Sequence, residues 1–272
     1  MHTLKSVWPL LDWHMVLVVA SALLGTFVCR ELDLLIDLPA ELVSVAVVFP
    51  LVFSIAGAYT RREDALKNFA TLKSSAVALY FAYRDWPDDD AGLGQGPTKY
   101  IHDLFRHVAA YFKAPVAGQP AALHDVYRVF SDLSRTNESL RASGVSATEI
   151  SRDSQYQRDI IGAFESMRNF SSYRTPVTLR AFSRIFLSLF PVLFTPYFSL
   201  IGYPQHAWAG YVLAALYSMV LVGLDNIQEH LEDPYDSIGL DDLQLDVADE
   251  YVALIADHEP ALGRTDLHAR AS

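Results

Sequence analysis

Stretches free of Asp, Glu, Lys and Arg organise this chain. They run from Trp13 to Cys29, Leu42 to Thr60, Ile185 to Gln205 and Ala207 to Leu224. A helix needs roughly 17–25 apolar residues to cross a hydrocarbon core about 30 Å thick. The pattern therefore predicts four transmembrane helices, at about 13–29, 42–60, 185–205 and 207–224. They must be helices, because an open strand in lipid leaves its backbone groups unpaired. Pro50, Pro191 and Pro196 fall inside two of the spans. Each removes a helix hydrogen bond, which membranes tolerate where a neighbour or a wet cavity satisfies the freed carbonyl. Tyr197, Tyr203, Trp208 and Tyr211 flank the turn between the last two spans, as an interfacial aromatic belt would. A cleaved signal peptide is a poorer reading of the first span. Its apolar run passes Ala20 and Ala22 and reaches Cys29 with no cleavage site.

Between the second and third spans the apolar period stays helical. Ala65, Phe69, Leu72, Ala76, Leu79, Tyr80 and Tyr83 share a side, so the second span is expected to continue as one long helix to Trp86-Pro87. Asp88 to Pro97 reads as a loop. A helix follows over about 98–113, another opens at Gly118-Gln119-Pro120, and Ser146 with Glu149 forms a capping-box pattern that starts a fourth. The fold class predicted is all-α, one domain over 1–272, with a helical region at 61–180 and an acidic segment at 225–272.

Charge sets the orientation. Arg61, Arg62 and Lys67 follow the second span, and Arg168, Arg174, Arg180 and Arg184 lead into the third. The positive-inside rule then places residues 61–180 and both termini in the cytosol of a multi-pass cell-membrane protein. Composition agrees: 51% of residues are hydrophobic and only 19% charged, against about 25% charged in soluble domains. The net charge of −11 belongs to the end of the chain, where residues 225–272 hold thirteen acids against Arg264 and Arg270. Such a segment does not neutralise phosphates, which excludes nucleic acid as its partner. The lone Cys29 allows neither an internal disulfide nor a thiolate metal cluster.

No enzyme motif is present: no Gly-rich phosphate loop, no H-E-x-x-H and no G-x-S-x-G. His102 and His107 are five residues apart and off a common helical face, a spacing of structural or solvated histidines rather than a metal pair. Asp12 and His14 sit where an interface would lie. A membrane enzyme or proton-coupled carrier would need ionisable groups inside the spans, and only His206 stands at an edge. In the second span, Val45, Phe49 and Phe53 are four apart and form one stripe. Ser44, Ala46, Ser54, Ala56, Gly57 and Ala58 line the neighbouring faces, small enough for close helix approach. The stripe fits a lipid- or helix-facing surface, and also a dewetting constriction if several copies surround an axis. After the fourth span, Asp233, Asp236, Asp241 and Asp242 offer hard oxygen donors of the kind Ca²⁺ takes, without EF-hand spacing. Their chemistry leaves a cation site and a solvated tail both open.

Three places resemble the bestrophin family, including its bacterial members. Asp233-Pro234-Tyr235 followed by Asp241-Asp242 is similar to the post-membrane signature, with Tyr for Phe. Ala58-Tyr59-Thr60-Arg61 resembles the Ala-Tyr-Asp-Arg-Trp exit from the second span. Tyr173-Arg174-Thr175-Pro176 resembles the Thr-Pro entry to the third. Arg62-Glu63, Asp236 and Val177-Thr178 depart from the family pattern, marking a divergent member. The resemblance implies a homopentameric ion channel in the bilayer, conducting anions such as chloride in animal members and cations in some bacterial ones. It implies a pore lined by the second helix, with a neck at Val45, Phe49 and Phe53. It also implies a Ca²⁺ clasp in the loop of Asp233, Asp236, Asp241 and Asp242, with Asp233, Asp241 and Asp242 as ligands. The rival reading is a non-conducting membrane scaffold whose cytosolic helices and acidic tail bind a partner protein.

Overall fold

The computed structural model describes residues 12–87, 96–173, 177–235 and 242–256. These are helical, with no strand among them. The helices are α1 (Trp13–Glu31), α2 (Ala40–Asp85), α3 (Gly96–Lys113), α4 (Gln119–Ala142), α5 (Ala147–Ser172), α6 (Val177–Leu193), α7 (Thr195–Leu200), α8 (Trp208–Glu232) and α9 (Ala248–Ala256). The chain divides into two compact units. One comprises α1, α2 as far as Asp64, α6, α7 and α8; the other comprises α2 from Ala65, α3, α4, most of α5, Tyr235 and the chain from Leu243 through α9.

In the first unit, α1 begins where the Asp12 carboxylate accepts from the Trp13 N–H at 2.6 Å. Met15, Val18, Ala22 and Thr26 form its buried stripe, at the three- and four-residue steps that put side chains on one face. Trp13, Val16, Leu17, Leu24, Phe27 and Val28 face outward. Likewise α8 buries Ala214, Ser218, Leu221 and Val222 while exposing Trp208, Val212, Leu216, Met219 and Val220. A core helix of a water-soluble protein would be covered on these faces. Among the described residues, α1 and α8 are the helices long and apolar enough to cross a membrane.

The apolar stretch from Ile185 is helical in two pieces as far as Leu200, with Ile201 to Gln205 in turn rather than helix, and its proline chemistry explains the break between the pieces. Pro196 has no N–H to give to the carbonyl four residues back, that of Val192. The Thr195 hydroxyl donates to that carbonyl instead, at 2.8 Å. Helix α1 packs against α6, α7 and α8, and glycine permits the approach. A Cβ at Gly25 would lie 2.7 Å from Thr195 Cγ2, and one at Gly210 would collide with the Phe198 carbonyl oxygen. Arg30 closes the end of α1. Its guanidinium donates to the carbonyls of Ala207 at 2.7 Å and Ser199 at 3.1 Å, and lies 4.8 Å from the Tyr211 ring centroid. That cation–π contact and the two carbonyls stabilise the charge.

The second unit is built on its own apolar core. As the periodicity predicts, α2 continues to Asp85 and buries Ala65, Phe69, Leu72, Ala76, Leu79, Tyr80 and Tyr83. Helix α3 contributes Ile101, Leu104, Phe105, Val108 and Phe112, α4 contributes Val126, Phe130, Leu133 and Leu140, and α5 contributes Ile150, Ile160, Phe164 and Met167. Pro120 sits in the first turn of α4, and the Glu149 N–H donates to Ser146 Oγ at 3.3 Å to start α5, as the capping pattern predicts. Phe164 is fully buried and meets Tyr111, Phe112 and Phe130 in edge-on contacts with centroids 5.5–6.1 Å apart.

Phe164→Ala empties the centre of this cluster and should cost about 3–5 kcal/mol of stability. Chemical unfolding of the full chain in detergent, followed by near-UV circular dichroism, measures it. Phe81→Ala, at a partly exposed position of α2, is the matched control and should cost far less.

Candidate functional site

Helix α2 reads differently on its two sides in the first unit. Leu51, Ile55 and Ala58 share one face; Leu51 is 2% exposed and Ala58 4%. Leu51 and Ile55 pack with Leu187, Phe190 and Phe194 of the first unit. At about 100° per residue the stripe of Phe49 and Phe53 lies opposite that face. Those two rings are 59% and 67% exposed, with centroids 5.7 Å apart. Val45 shares the stripe by its place in α2. Thr60 continues it, with its hydroxyl donating to the Ala56 carbonyl at 2.9 Å. Arg61 follows and donates to the Tyr173 carbonyl at 3.0 Å. The geometry is a helix held by one face and presenting large uncharged rings on the other, with the charged run Arg61-Arg62-Glu63-Asp64 following the stripe.

The acidic segment divides in two. Its first residues are the end of α8: Asp225 is buried and lies 3.6 Å from Arg184, which also pairs with Glu229. Helix α8 stops at Asp233, whose backbone is extended (φ −121°, ψ 94°), as expected ahead of Pro234. Of the four acids implied as a Ca²⁺ clasp, Asp233 is buried and Asp242 half-buried, while Asp236 and Asp241 lie outside the described residues. Among the described residues no three His, Cys, Asp or Glu side chains converge.

The later part of the segment packs on the second unit. Tyr235 is 1% exposed and stacks on Phe112 at 4.4 Å and 28°. Leu243, Leu245 and Val247 are buried while Gln244 and Asp246 are exposed, the alternation of an extended chain laid on an apolar surface. Asp246 pairs with Lys113, Asp249 lies 3.5 Å from His102, and Lys73 lies 5.6 Å from the Tyr251 ring centroid. The alternation of Leu243, Leu245 and Val247 was the available signal; the surrounding acids conceal it. His102 faces Asp103 and Asp249, each at 3.5 Å, and the His14 ring lies 3.1 Å from Ser188 Oγ.

A further polar cluster sits inside the second unit, and residue types alone did not flag it. Tyr83 Oη, from α2, donates to the Leu133 carbonyl at 3.1 Å and to Asn137 Oδ1 at 2.9 Å, both on α4. It accepts from Gln157 Nε2 of α5 at 3.1 Å. Asp153, one turn before Gln157, is fully buried, and neither carboxyl oxygen has a hydrogen-bond partner. Burial pushes its carboxyl up from 3.8 to about 7. Burial also raises the Tyr83 phenol, with Asp153 adding to the effect. The signal was Asp153 at a place in the Ile150, Ile160, Phe164, Met167 series where an apolar residue is due.

Comparison with known proteins follows the fold. No protein-family model and no curated protein matches the sequence. Solved structures do match. A bacterial bestrophin homolog from Klebsiella pneumoniae superposes with a TM-score of 0.75 at 15% identity, over 91% of this chain and 99% of that one. A variant of that homolog gives 0.72 at 16% identity, over 92% and 98%. A crystal structure described as a membrane protein gives 0.74 at 15%, over 88% and 94%. The chain thus has the fold of an all-helical membrane-protein class. Within that class its fold is that of the solved bacterial bestrophin homologs, at 15–16% identity.

Tyr235→Ala removes the ring that seats the final segment and should expose residues 243–256. Limited proteolysis should then cut within 243–256 in the variant under conditions that leave the parent chain whole.

Proposed function

We propose that this chain is the subunit of a homopentameric ion channel in the cell membrane. In this reading α1, the first part of α2, the α6–α7 pair and α8 cross the bilayer, and residues 61–180 and both termini are cytosolic. The first part of α2 from each copy surrounds a central path, with Val45, Phe49 and Phe53 as its narrow neck. The observation that carries the proposal is the pair of large exposed rings opposite the docked face of α2. A face this apolar calls for a cover, and the bestrophin-like fold favours further copies of the same helix over lipid. A neck of bare rings gates by dewetting rather than by fixed charge. The permeant species is then a monovalent ion, an anion such as chloride by family resemblance, with a cation as the alternative.

The scaffold reading requires an acidic tail free to hold a partner. The packing of Leu243, Leu245, Val247 and Ile255 in the second unit disfavours that for residues 243–256.

Two measurements test the channel. Purified protein should have a mass near five times 30.3 kDa after subtraction of detergent, by light scattering; a stable monomer overturns the proposal. Reconstituted in planar bilayers, the Phe49→Ala, Phe53→Ala double variant should carry several-fold more current than the parent at equal voltage. The reversal potential in a KCl gradient assigns the permeant ion. Unchanged current in the double variant removes the neck, and absence of any flux in liposomes favours the scaffold.

A further inference from the structure

We propose that Asp153 is a proton-operated latch inside the second unit: protonated, it stays in the core and α5 remains clamped to α2 and α4 around Tyr83; ionised, it draws water in and loosens that clamp. An ionised carboxylate only accepts hydrogen bonds. No donor reaches it in the folded chain: the Tyr83 proton is directed at Leu133 O and Asn137 Oδ1, the Gln157 amide donates to Tyr83 Oη, and neither Asp153 oxygen receives a hydrogen bond. A fully buried carboxylate with both oxygens unpartnered is costly in its charged form and tolerable in its neutral form. The cluster joins three helices, so water entering beside Asp153 acts on all of them.

The groups facing the site give its charge no partner. Helix α2 presents Tyr83, and Tyr100 of α3 bears on Tyr83 in turn; α4 presents Asn137, and α5 itself presents Gln157. Burial alone accounts for the raised carboxyl, with no basic side chain offsetting it. The sign follows. The unfolded chain releases this proton near 3.8 and the folded one near 7. The folded state is therefore favoured at low pH, loses stability as pH rises through that window, and levels off above it. The latch operates whether or not the protein conducts ions, so its failure and the failure of the channel reading are separate results.

The test uses the full chain in detergent with ¹³C-carboxyl aspartate. Infrared difference spectra should show a protonated carboxyl band that disappears with a midpoint near 7 and is missing from Asp153→Asn. Hydrogen exchange, divided by the intrinsic rate at each pH, is read in peptides covering 79–86, 133–140 and 150–160. Between about pH 5.5 and 8.5, protection in these peptides should fall at least about tenfold in the parent chain. In Asp153→Asn it should stay flat at the parent's low-pH level. A variant whose protection tracks the parent overturns the latch. So does an Asp153 already ionised at the low end, or a titration that leaves protection unchanged. The infrared midpoint and the exchange midpoint are both read on the parent chain, and their coincidence decides the question even if the variant does not fold.

Discussion

The constraint on which the rest depends is that backbone polar groups in an apolar helix must find partners within the protein. Its marks are spread through the first unit. Thr26 and Ser218 return their hydroxyl protons to carbonyls one turn back, those of Ala22 and Ala214. Thr195 covers the carbonyl that Pro196 would leave bare. Arg30 serves the carbonyls of Ser199 and Ala207, where the chain leaves helical geometry between α7 and α8. A helix that satisfies its own backbone can turn apolar side chains outward, and α1 and α8 do so. The second unit works under the opposite rule: its largest apolar side chains gather in an internal core.

Helix α2 belongs to both regimes. Up to Asp64 it docks one face and shows bare aromatic rings on the other; from Ala65 its inward face is buried in an ordinary helical core. A continuous helix can serve both because its backbone bonds are local and indifferent to what lies outside. What differs is the spacing and type of side chains, with Arg61, Arg62, Glu63 and Asp64 marking the change. The Tyr83 cluster sits near the far end of this helix. Tyr83, like Phe49 and Phe53, takes its importance from what surrounds it rather than from its own chemistry.

Much of the helix layout was legible beforehand. The continuation of α2 past Arg61 and the starts of α4 and α5 follow from period, proline and capping signals, which act within a few residues; the loop expected after Trp86-Pro87 lies, over 88–95, outside the described residues. The Phe49–Phe53 stripe was also legible, since helix geometry alone aligns residues four apart. Other features were not. The stretch read as a third span is helical as α6 and α7, because the local proline–threonine pairing decides where the ladder is cut. The acid-rich segment after α8 reads as a tail by charge, yet from Leu243 it lies on a core surface that only the fold supplies.

The sequence by itself determined an all-helical chain with lipid-compatible segments, the extent of α2, and the face on which Phe49 and Phe53 stand. Those properties arise from hydrogen bonds and periodicities that span a turn or two. The tertiary structure alone decided that Asp153 is sealed beside Tyr83, that Arg30 is held by carbonyls and a ring, and that Tyr235 stacks on Phe112. Each depends on residues brought together from distant parts of the chain, and no local pattern encodes whether a given charge will be left facing water or denied it.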